Sequence, residues 1–353
     1  MSTTTTKRKR SSDKLLDVVA RYQRALVVMH DNPDPDAIAT GWAVYCLVQE
    51  RLRMPVRMVA GGAIVRAENK YMVELLSPPI ELVTDLAVEE DTATVLVDCG
   101  IGTTNHLATQ TATRPIGVID HHETNGGGLD LPFRDIRPDA AASASIAANY
   151  LREHRVPPGA KLATAVLYAI RTETCGSETE YSQLDRSVVK WLTPEADLSL
   201  LAEIENAPLD RDYFGDLVLA MQRTFLYDDV AFCFLPRATG AEIVGEVADL
   251  LVRCRGVRRV LCAAIIGEDL LLSTRTQKGS GNASRLLQTT LEGIGHCGGH
   301  THRAGGKVPR VGQGGKVPDE VYDELRRRWL AACGVDRQRG TRLVALREIV
   351  ENL

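Results

Sequence analysis

Short apolar runs that end abruptly in a charged or imidazole side chain recur along the first half of the chain. Ala25-Leu26-Val27-Val28-Met29 leads into His30, Thr94-Val95-Leu96-Val97 into Asp98, and Pro115-Ile116-Gly117-Val118-Ile119 into Asp120-His121-His122. Each run is short and bounded by turn residues, which predicts a buried strand rather than a helix. The Asn, Asp and Pro residues of Asp31-Asn32-Pro33-Asp34-Pro35-Asp36 end the first strand and shape a turn, after which Ala37 to Arg51 predicts a helix. Strands alternating with helices predict an α/β unit built on a mostly parallel sheet. A Leu-rich, charged stretch from Glu180 to Arg223 predicts helix. Strands then resume at Val230–Leu235, Val260–Ile266 and Asp269–Ser273, predicting a second, smaller α/β domain. The resulting division is a basic, disordered tail over 1–20, a first domain over 21–195, a helical linker over 196–225, a second domain over 226–335 and a C-terminal extension over 336–353.

Composition fits two domains. At 353 residues the chain is longer than a single core usually serves. No apolar run approaches the roughly 20 residues of a membrane helix, and the N-terminus lacks the apolar centre of a signal peptide, so a cytoplasmic protein without membrane contact is expected. The eight cysteines form no Cys-x-x-Cys pair, which argues against a zinc ribbon or disulfide framework. A net charge of −4 argues against a protein whose whole surface tracks long nucleic acid, but a cleft lined by cations still attracts a small anion. The basic runs Arg253 to Arg259 and Arg326 to Arg328 read as exposed faces more readily than as binding stripes.

The candidate chemistry lies at the strand ends. In open α/β sheets ligands bind outside the carboxyl ends of the strands, where residues distant in sequence converge. His30, Asp34, Asp36, Asp98, Asp120, His121 and His122 all fall there. Either Asp34 or Asp36 alone reads as a helix N-cap. Capping does not account for the imidazoles or for the third strand. A set of imidazoles and carboxylates suits Mn²⁺, with Mg²⁺ or Co²⁺ as alternatives, better than the thiolate sites of structural zinc. Two ions about 3.5–4 Å apart need a bridging carboxylate, for which Asp98 is the natural candidate.

These segments resemble the DHH phosphoesterase superfamily. The matching residues are His30-Asp31-Asn32-Pro33-Asp34-Pro35-Asp36, Val97-Asp98-Cys99, Asp120-His121-His122 and the stretch from Ala165 to Gly176, which contains Glu173. The resemblance implies one metal held by His30, Asp34 and Asp98, and a second held by Asp36, Asp98, His121 and Glu173, with His122 against the substrate phosphate. Two positions depart from the pattern: Glu173 stands where Asp is usual, and Pro35 where many relatives have Gly. In the second half, Ser273-Thr274-Arg275 and Cys297-Gly298-Gly299-His300 through Gly306 resemble the DHHA1 domain. That implies Arg275, Gly298, Gly299 and His300 as substrate contacts, with the active site in a cleft between an N-terminal DHH domain and a C-terminal DHHA1 domain. Glycine without Cβ lets backbone N–H groups approach a phosphate. Gly279 to Ser284 superficially matches a dinucleotide fingerprint but lacks its strand context.

The pairing of the two domains without others is similar to the NrnA-type subgroup. It implies an enzyme that hydrolyses short oligoribonucleotides or 3′-phosphoadenosine-5′-phosphate with two Mn²⁺ ions, Asp98 and His122 acting in catalysis. A cyclic or linear dinucleotide phosphodiesterase is the nearest alternative. A catalytically weak nucleotide-binding protein is the alternative of another class, given Glu173. Short RNA or a nucleotide is the partner implied, and the resemblance also raises a homodimer.

Overall fold

A strand rich in β-branched residues persists where both of its faces are covered, and Arg24–Val28 (β1) meets that condition: Ala25 and Val27 enter one apolar core, Leu26 and Val28 another. The structure, a computed structural model, describes residues 9–344 apart from 101, 104, 112–113, 123–129, 175, 239, 300, 312–318 and 337–338. The chain divides into two units, Met1–Pro208 and Leu209–Leu353.

In the first unit the described strands are β1, β2 (Val56–Ala60), β3 (Ile80–Leu82), β4 (Thr92–Val97), β5 (Gly117–Asp120) and β6 (Phe133–Ile136). They pair in the order β3-β2-β1-β4-β5-β6, all parallel. The chain winds outward from β1 through β2 to β3, returns to the other side of β1, and winds outward again from β4. The boundary between β1 and β4 is therefore the switch point of the sheet, where the loops leaving adjacent strands part in opposite directions and open a crevice. Helices α1 (Ser11–Val19), α2 (Pro35–Leu52), α3 (Ala67–Leu76), α4 (Ser143–Glu153), α5 (Gly159–Glu173), α6 (Gln183–Leu192) and α7 (Leu198–Glu205) all bury side chains in one core. The opposite face is covered by the segments between strands, through Val83, Leu86, Val88, Ala108 and Leu131.

The second unit carries α8 (Arg211–Gln222), β7 (Thr224–Tyr227), β8 (Val230–Leu235), α9 (Glu242–Leu251), β9 (Arg259–Ile266), β10 (Asp269–Thr276), α10 (Ala283–Leu291), β11 (His296–Gly299), β12 (Arg303–Val308), α11 (Asp319–Ala332) and β13 (Thr341–Arg342). Its strands pair in the order β11-β12-β10-β9-β8-β7-β13. Alternation along β8 sends Phe232 and Phe234 into the core under α10 and α11, and Ala231, Cys233 and Leu235 into the core under α8 and α9. Among the described residues no helix is long and apolar enough to cross a membrane.

Three features depart from the sequence pattern. The polar composition of residues 1–20 predicts a disordered tail, yet Ser11–Val19 is helical, with Leu15 and Val19 fully buried. Those two side chains together bring about 3–6 kcal/mol of apolar burial, which outweighs the polar start; residues 1–8 lie outside the described residues. The stretch 196–225 is divided rather than a separate linker, α7 packing on α5 and α3 and α8 on α9 and β8. Part of the C-terminal extension joins the second sheet, Thr341 and Arg342 pairing antiparallel with β7.

Candidate metal centre

The apolar run of β1 ends at the sheet edge, so the chain leaves it through His30 and turns at once. Asp34 caps α2: its Oδ1 accepts from the N–H groups of Asp36 (2.9 Å) and Ala37 (3.0 Å). Pro35 occupies the first helical turn, where a missing N–H costs nothing. Asp36 is almost fully buried and caps a second helix. Its Oδ2 accepts from the Ser143 N–H at 2.8 Å and its Oδ1 from the Ala144 N–H at 2.7 Å, at the start of α4. The reading of a cap on the following helix thus holds for Asp34, whereas Asp36 accepts instead from the start of α4. Asp98 follows β4 with a left-handed φ of +53°, is buried, and accepts from the Ser143 hydroxyl at 2.9 Å through Oδ1.

Two sets of donors converge on Asp98. The Nε2 of His30 lies 3.8 Å from Asp34 Oδ1 and 3.7 Å from Asp98 Oδ2. The Nε2 of His121 lies 3.6 Å from Asp36 Oδ2 and 3.7 Å from Asp98 Oδ1. Each oxygen of Asp98 therefore serves a different imidazole–carboxylate set. In both histidines the other ring nitrogen is engaged by a backbone carbonyl, Asp31 O at 2.9 Å for His30 and Ala140 O at 3.2 Å for His121. A carbonyl can only accept, so Nδ1 carries a proton in each ring and Nε2 is the nitrogen turned toward the carboxylates. The nitrogen–oxygen separations of 3.6–3.8 Å are too long for hydrogen bonds and leave room for a cation between the donors. Donors held at roughly 2.0–2.2 Å from one cation stand roughly 3–3.6 Å apart, so the residues present fit divalent metal.

The electrostatics carry the same strain. Burial works against a charged His30 ring, but the Asp34 and Asp98 carboxylates outweigh it and raise its pKa to about 10. Burial pushes the Asp36 carboxyl well above the usual range, reinforced by the charges of Asp98, Glu173 and Asp34. Against burial, which favours the neutral acid, His30 and the Ala37 N–H hold Asp34 well below that range.

His122 faces a different partner. Its Nδ1 donates to Asp120 Oδ1 at 2.7 Å, and its backbone N–H donates to the same oxygen at 3.1 Å. Asp98 Oδ1 stands 3.7 Å away. Burial opposes charge on this ring too, but Asp120 and Asp98 raise its pKa to about 9. Asp120 is fully buried, its Oδ2 without a hydrogen-bond partner among the described residues. Glu173 ends α5, half-buried, and its charge bears on both Asp36 and His122.

In the second unit the guanidinium of Arg275 is already engaged. Nε and Nη2 donate to Asp249 at 2.5 and 3.2 Å, and Nη1 donates to Ser273 Oγ at 2.7 Å and Thr274 O at 3.0 Å. Gly298 and Gly299 lie on β11 of a β-hairpin rather than in an open loop, and His300 lies outside the described residues. Gly299 has a φ of +143°, and a Cβ there would fall 2.4 Å from the Arg303 carbonyl, so the hairpin itself requires a glycine. Sequence reasoning passed over Ser143, Ala144 and Ala140, because the run from Ala140 to Ser145 carries no ionisable side chain. The one available signal was a serine at the start of a helix.

Residues 24–170 match the family model described as the DHH family, N-terminal domain. An uncharacterized protein of Methanocaldococcus jannaschii is 30% identical over 285 residues, 80% of this chain, and the chain spans 58% of that relative's length. Among solved structures, an exopolyphosphatase-related protein from Bacteroides fragilis superposes with a TM-score of 0.68 at 13% identity, covering 92% of this chain and 96% of its own. RecJ from Thermus thermophilus, in complex with Mn²⁺, superposes with a TM-score of 0.53 at 15% identity, covering 92% of this chain and 54% of its own. At such identities the likeness is one of fold.

Proposed function

We propose that the chain, whose residues 24–170 match the N-terminal domain of the DHH family, is a metal-dependent phosphoesterase hydrolysing short oligoribonucleotides or 3′-phosphoadenosine-5′-phosphate. The observation that carries this reading is Asp98 turning one oxygen toward the His30 ring, which also faces Asp34, and the other toward the His121 ring, which also faces Asp36. In the proposed assignment His30, Asp34 and Asp98 hold one divalent cation, and Asp36, Asp98, His121 and Glu173 a second. Such ions supply Lewis-acid neutralisation of a phosphoryl group and lower the pKa of an attacking water. Mn²⁺ suits the imidazole–carboxylate donors, and the RecJ neighbour holds that ion.

The chain's own groups do the rest. Asp120 fixes the His122 ring by taking its Nδ1–H, which leaves Nε2 as the nitrogen able to donate to a phosphate or leaving oxygen. In the metal-free site the Asp120 and Asp98 carboxylates outweigh burial and raise the pKa of that ring to about 9. The buried N-terminus of α4 disperses the charge of Asp36 through two N–H groups, which allows several carboxylates to crowd one site. Gly298, Gly299 and His300 are proposed to position the substrate, contributing orientation rather than bond chemistry. Arg275 joins them only through whatever donor capacity Asp249 leaves.

The test offers the purified protein with Mn²⁺ 3′-phosphoadenosine-5′-phosphate, a labelled diribonucleotide, a cyclic dinucleotide and pyrophosphate in parallel. Turnover of the first two, abolished by chelation and by Asp98→Ala, is the expected result. Preference for the cyclic dinucleotide would move the assignment to a dinucleotide phosphodiesterase, and full activity of Asp98→Ala would refute the site.

A further inference from the structure

We propose that Asp185 is a positioning residue for the His121 set, acting on that ring through a single peptide plane. The proposal rests on the two-metal phosphoesterase reading and deepens it, since it gives one of the two sets a support that the other lacks.

The plane is the peptide joining Ala140 to Ala141. Its C=O accepts from Nδ1 of His121 at 3.2 Å, and its N–H donates to Oδ2 of Asp185 at 2.9 Å. A trans peptide is rigid and aims these two groups in opposite directions, so whatever holds one end fixes the other. Ring, peptide and carboxylate therefore form one hydrogen-bonded line, running from His121 to a helix that supplies no ligand. The charge reaches the ring as well: a carboxylate on the N–H polarises the peptide and makes its carbonyl a better acceptor. An imidazole held in this way keeps its tautomer and orientation and offers Nε2 as a stronger ligand to a cation.

The His30 set is built without this device. Its orienting peptide joins Asp31 to Asn32, and the C=O accepts from Nδ1 of His30 at 2.9 Å. The N–H of that peptide donates to the Gly61 carbonyl at 3.0 Å, a neutral acceptor. Two histidines with the same backbone contact thus differ in what stands behind it.

Asp185 does more than close the start of its own helix. Its Oδ2 also takes the Ser182 N–H at 2.8 Å and the Ser182 hydroxyl at 2.6 Å, the reciprocal arrangement of a capping box on α6. An exposed carboxylate would serve that purpose equally, and unpaired aspartates seldom leave the surface. Asp185 is fully buried, with Oδ1 lacking a hydrogen-bond partner among the described residues. What the buried position gains is the Ala141 N–H. The place of α6 does not depend on that bond, because Val188 and Leu192 enter the first unit's core and Arg152 of α4 donates to the Ser187 carbonyl at 3.2 Å.

The experiment uses the full-length protein and two readouts. In EDTA, NMR of isotope-labelled histidine follows the Nδ1-bound proton of His121, assigned by its absence from His121→Gln. Calorimetry then follows Mn²⁺, the affinity belonging to the His121 set being the one that His121→Gln removes. Asp185→Ala should move the proton upfield and weaken that affinity by roughly 10–100-fold, leaving the other unchanged. Asp185→Asn keeps an oxygen for the Ala141 N–H but not the charge, and should fall between. Ser182→Ala loosens the same cap without touching the peptide, so it should lower the melting temperature yet keep the proton and both affinities. Wild-type values in Asp185→Ala would overturn the proposal, as would equal losses in Ser182→Ala, which would reduce Asp185 to a helix cap. Should Asp185→Ala fail to fold, Asp185→Asn decides alone: an unmoved proton with unchanged affinities overturns the proposal. Hydrolysis of the candidate substrates by a wild type whose Asp185 variants behave identically would keep the phosphoesterase reading and remove the relay. A moved proton and a selective loss of affinity in a protein that hydrolyses none of them would do the reverse.

Discussion

Ser143 bears no charge and stands in no ligand set, yet it governs how Asp98 can be used. Its hydroxyl donates to Oδ1, the oxygen that faces His121 and Asp36, while its backbone N–H donates to Asp36. Removing the hydroxyl frees the Asp98 carboxylate to rotate away from that set. Ser143→Ala should weaken the tighter or looser of two Mn²⁺ affinities by roughly 10–100-fold, the range found when a group orienting a ligand is lost. The loss should fall on the His121 set alone, and Ser143→Thr should restore it. Titration calorimetry on both variants decides this; two unchanged affinities would refute it. A second expectation concerns His30, whose pKa of about 10 in the metal-free site means that it holds a proton at neutral pH. Metal must displace that proton, so apparent affinity should rise with pH up to about 10 and uptake should release protons. Calorimetry in buffers of different ionisation enthalpy measures the number released, and zero would contradict the assignment. His30, Asp98 and His121 were legible in the sequence because each ends or follows an apolar run. Ser143 was not, since a serine at a helix start is the commonest of caps and only the fold brings it onto a carboxylate 45 residues away.

Elements follow the same division between local pattern and long-range partner. β1, β4 and β5 are readable because burial on both faces enforces continuous apolar runs. α1 is not, because its helicity depends on docking against α4: Arg10 donates to the Glu153 carbonyl at 2.7 Å, and the Ser12 hydroxyl donates to the Glu153 carboxylate. β6 is likewise anchored through a pairing that no local pattern announces. Asp135 on β6 takes two hydrogen bonds from Arg137, at 2.8 and 2.7 Å, and one from the Tyr150 hydroxyl of α4. Burial favours the neutral acid, but Arg137 and Tyr150 outweigh it and hold the Asp135 carboxyl below its ordinary value. Because the folded state binds its proton less readily than the unfolded chain, the pair's stabilisation is complete above the ordinary carboxylate range. It is lost as pH falls below that range. Asp135→Asn should therefore cost about 3 kcal/mol at pH 7, the scale for breaking a buried pair, and progressively less below about pH 4. Urea unfolding of both proteins at the two pH values tests it, and a penalty that is the same at both would show that the charge is not what matters.

At the scale of the whole chain, among the described residues the apolar cores of the first unit draw on no residue beyond Ile204, and the buried residues of the second unit's cores begin at Ala220, with half-buried neighbours from Tyr213 onward. Units with separate cores unfold as separate cooperative blocks unless an extensive interface couples them. His30, Asp34, Asp36, Asp98, His121 and Glu173 all belong to the first unit. Metal that binds the native first unit alone should stabilise it by about 2.7 kcal/mol at a free concentration of one hundred times Kd. For a unit of about 200 residues that is a rise of roughly 5–10 °C in Tm. Calorimetry should therefore show two transitions, only one of which moves between EDTA and saturating Mn²⁺. Asp98→Ala should abolish the metal-dependent shift. A single transition that moves as a whole would mean that the two blocks are coupled strongly enough for the metal in one to stabilise the other.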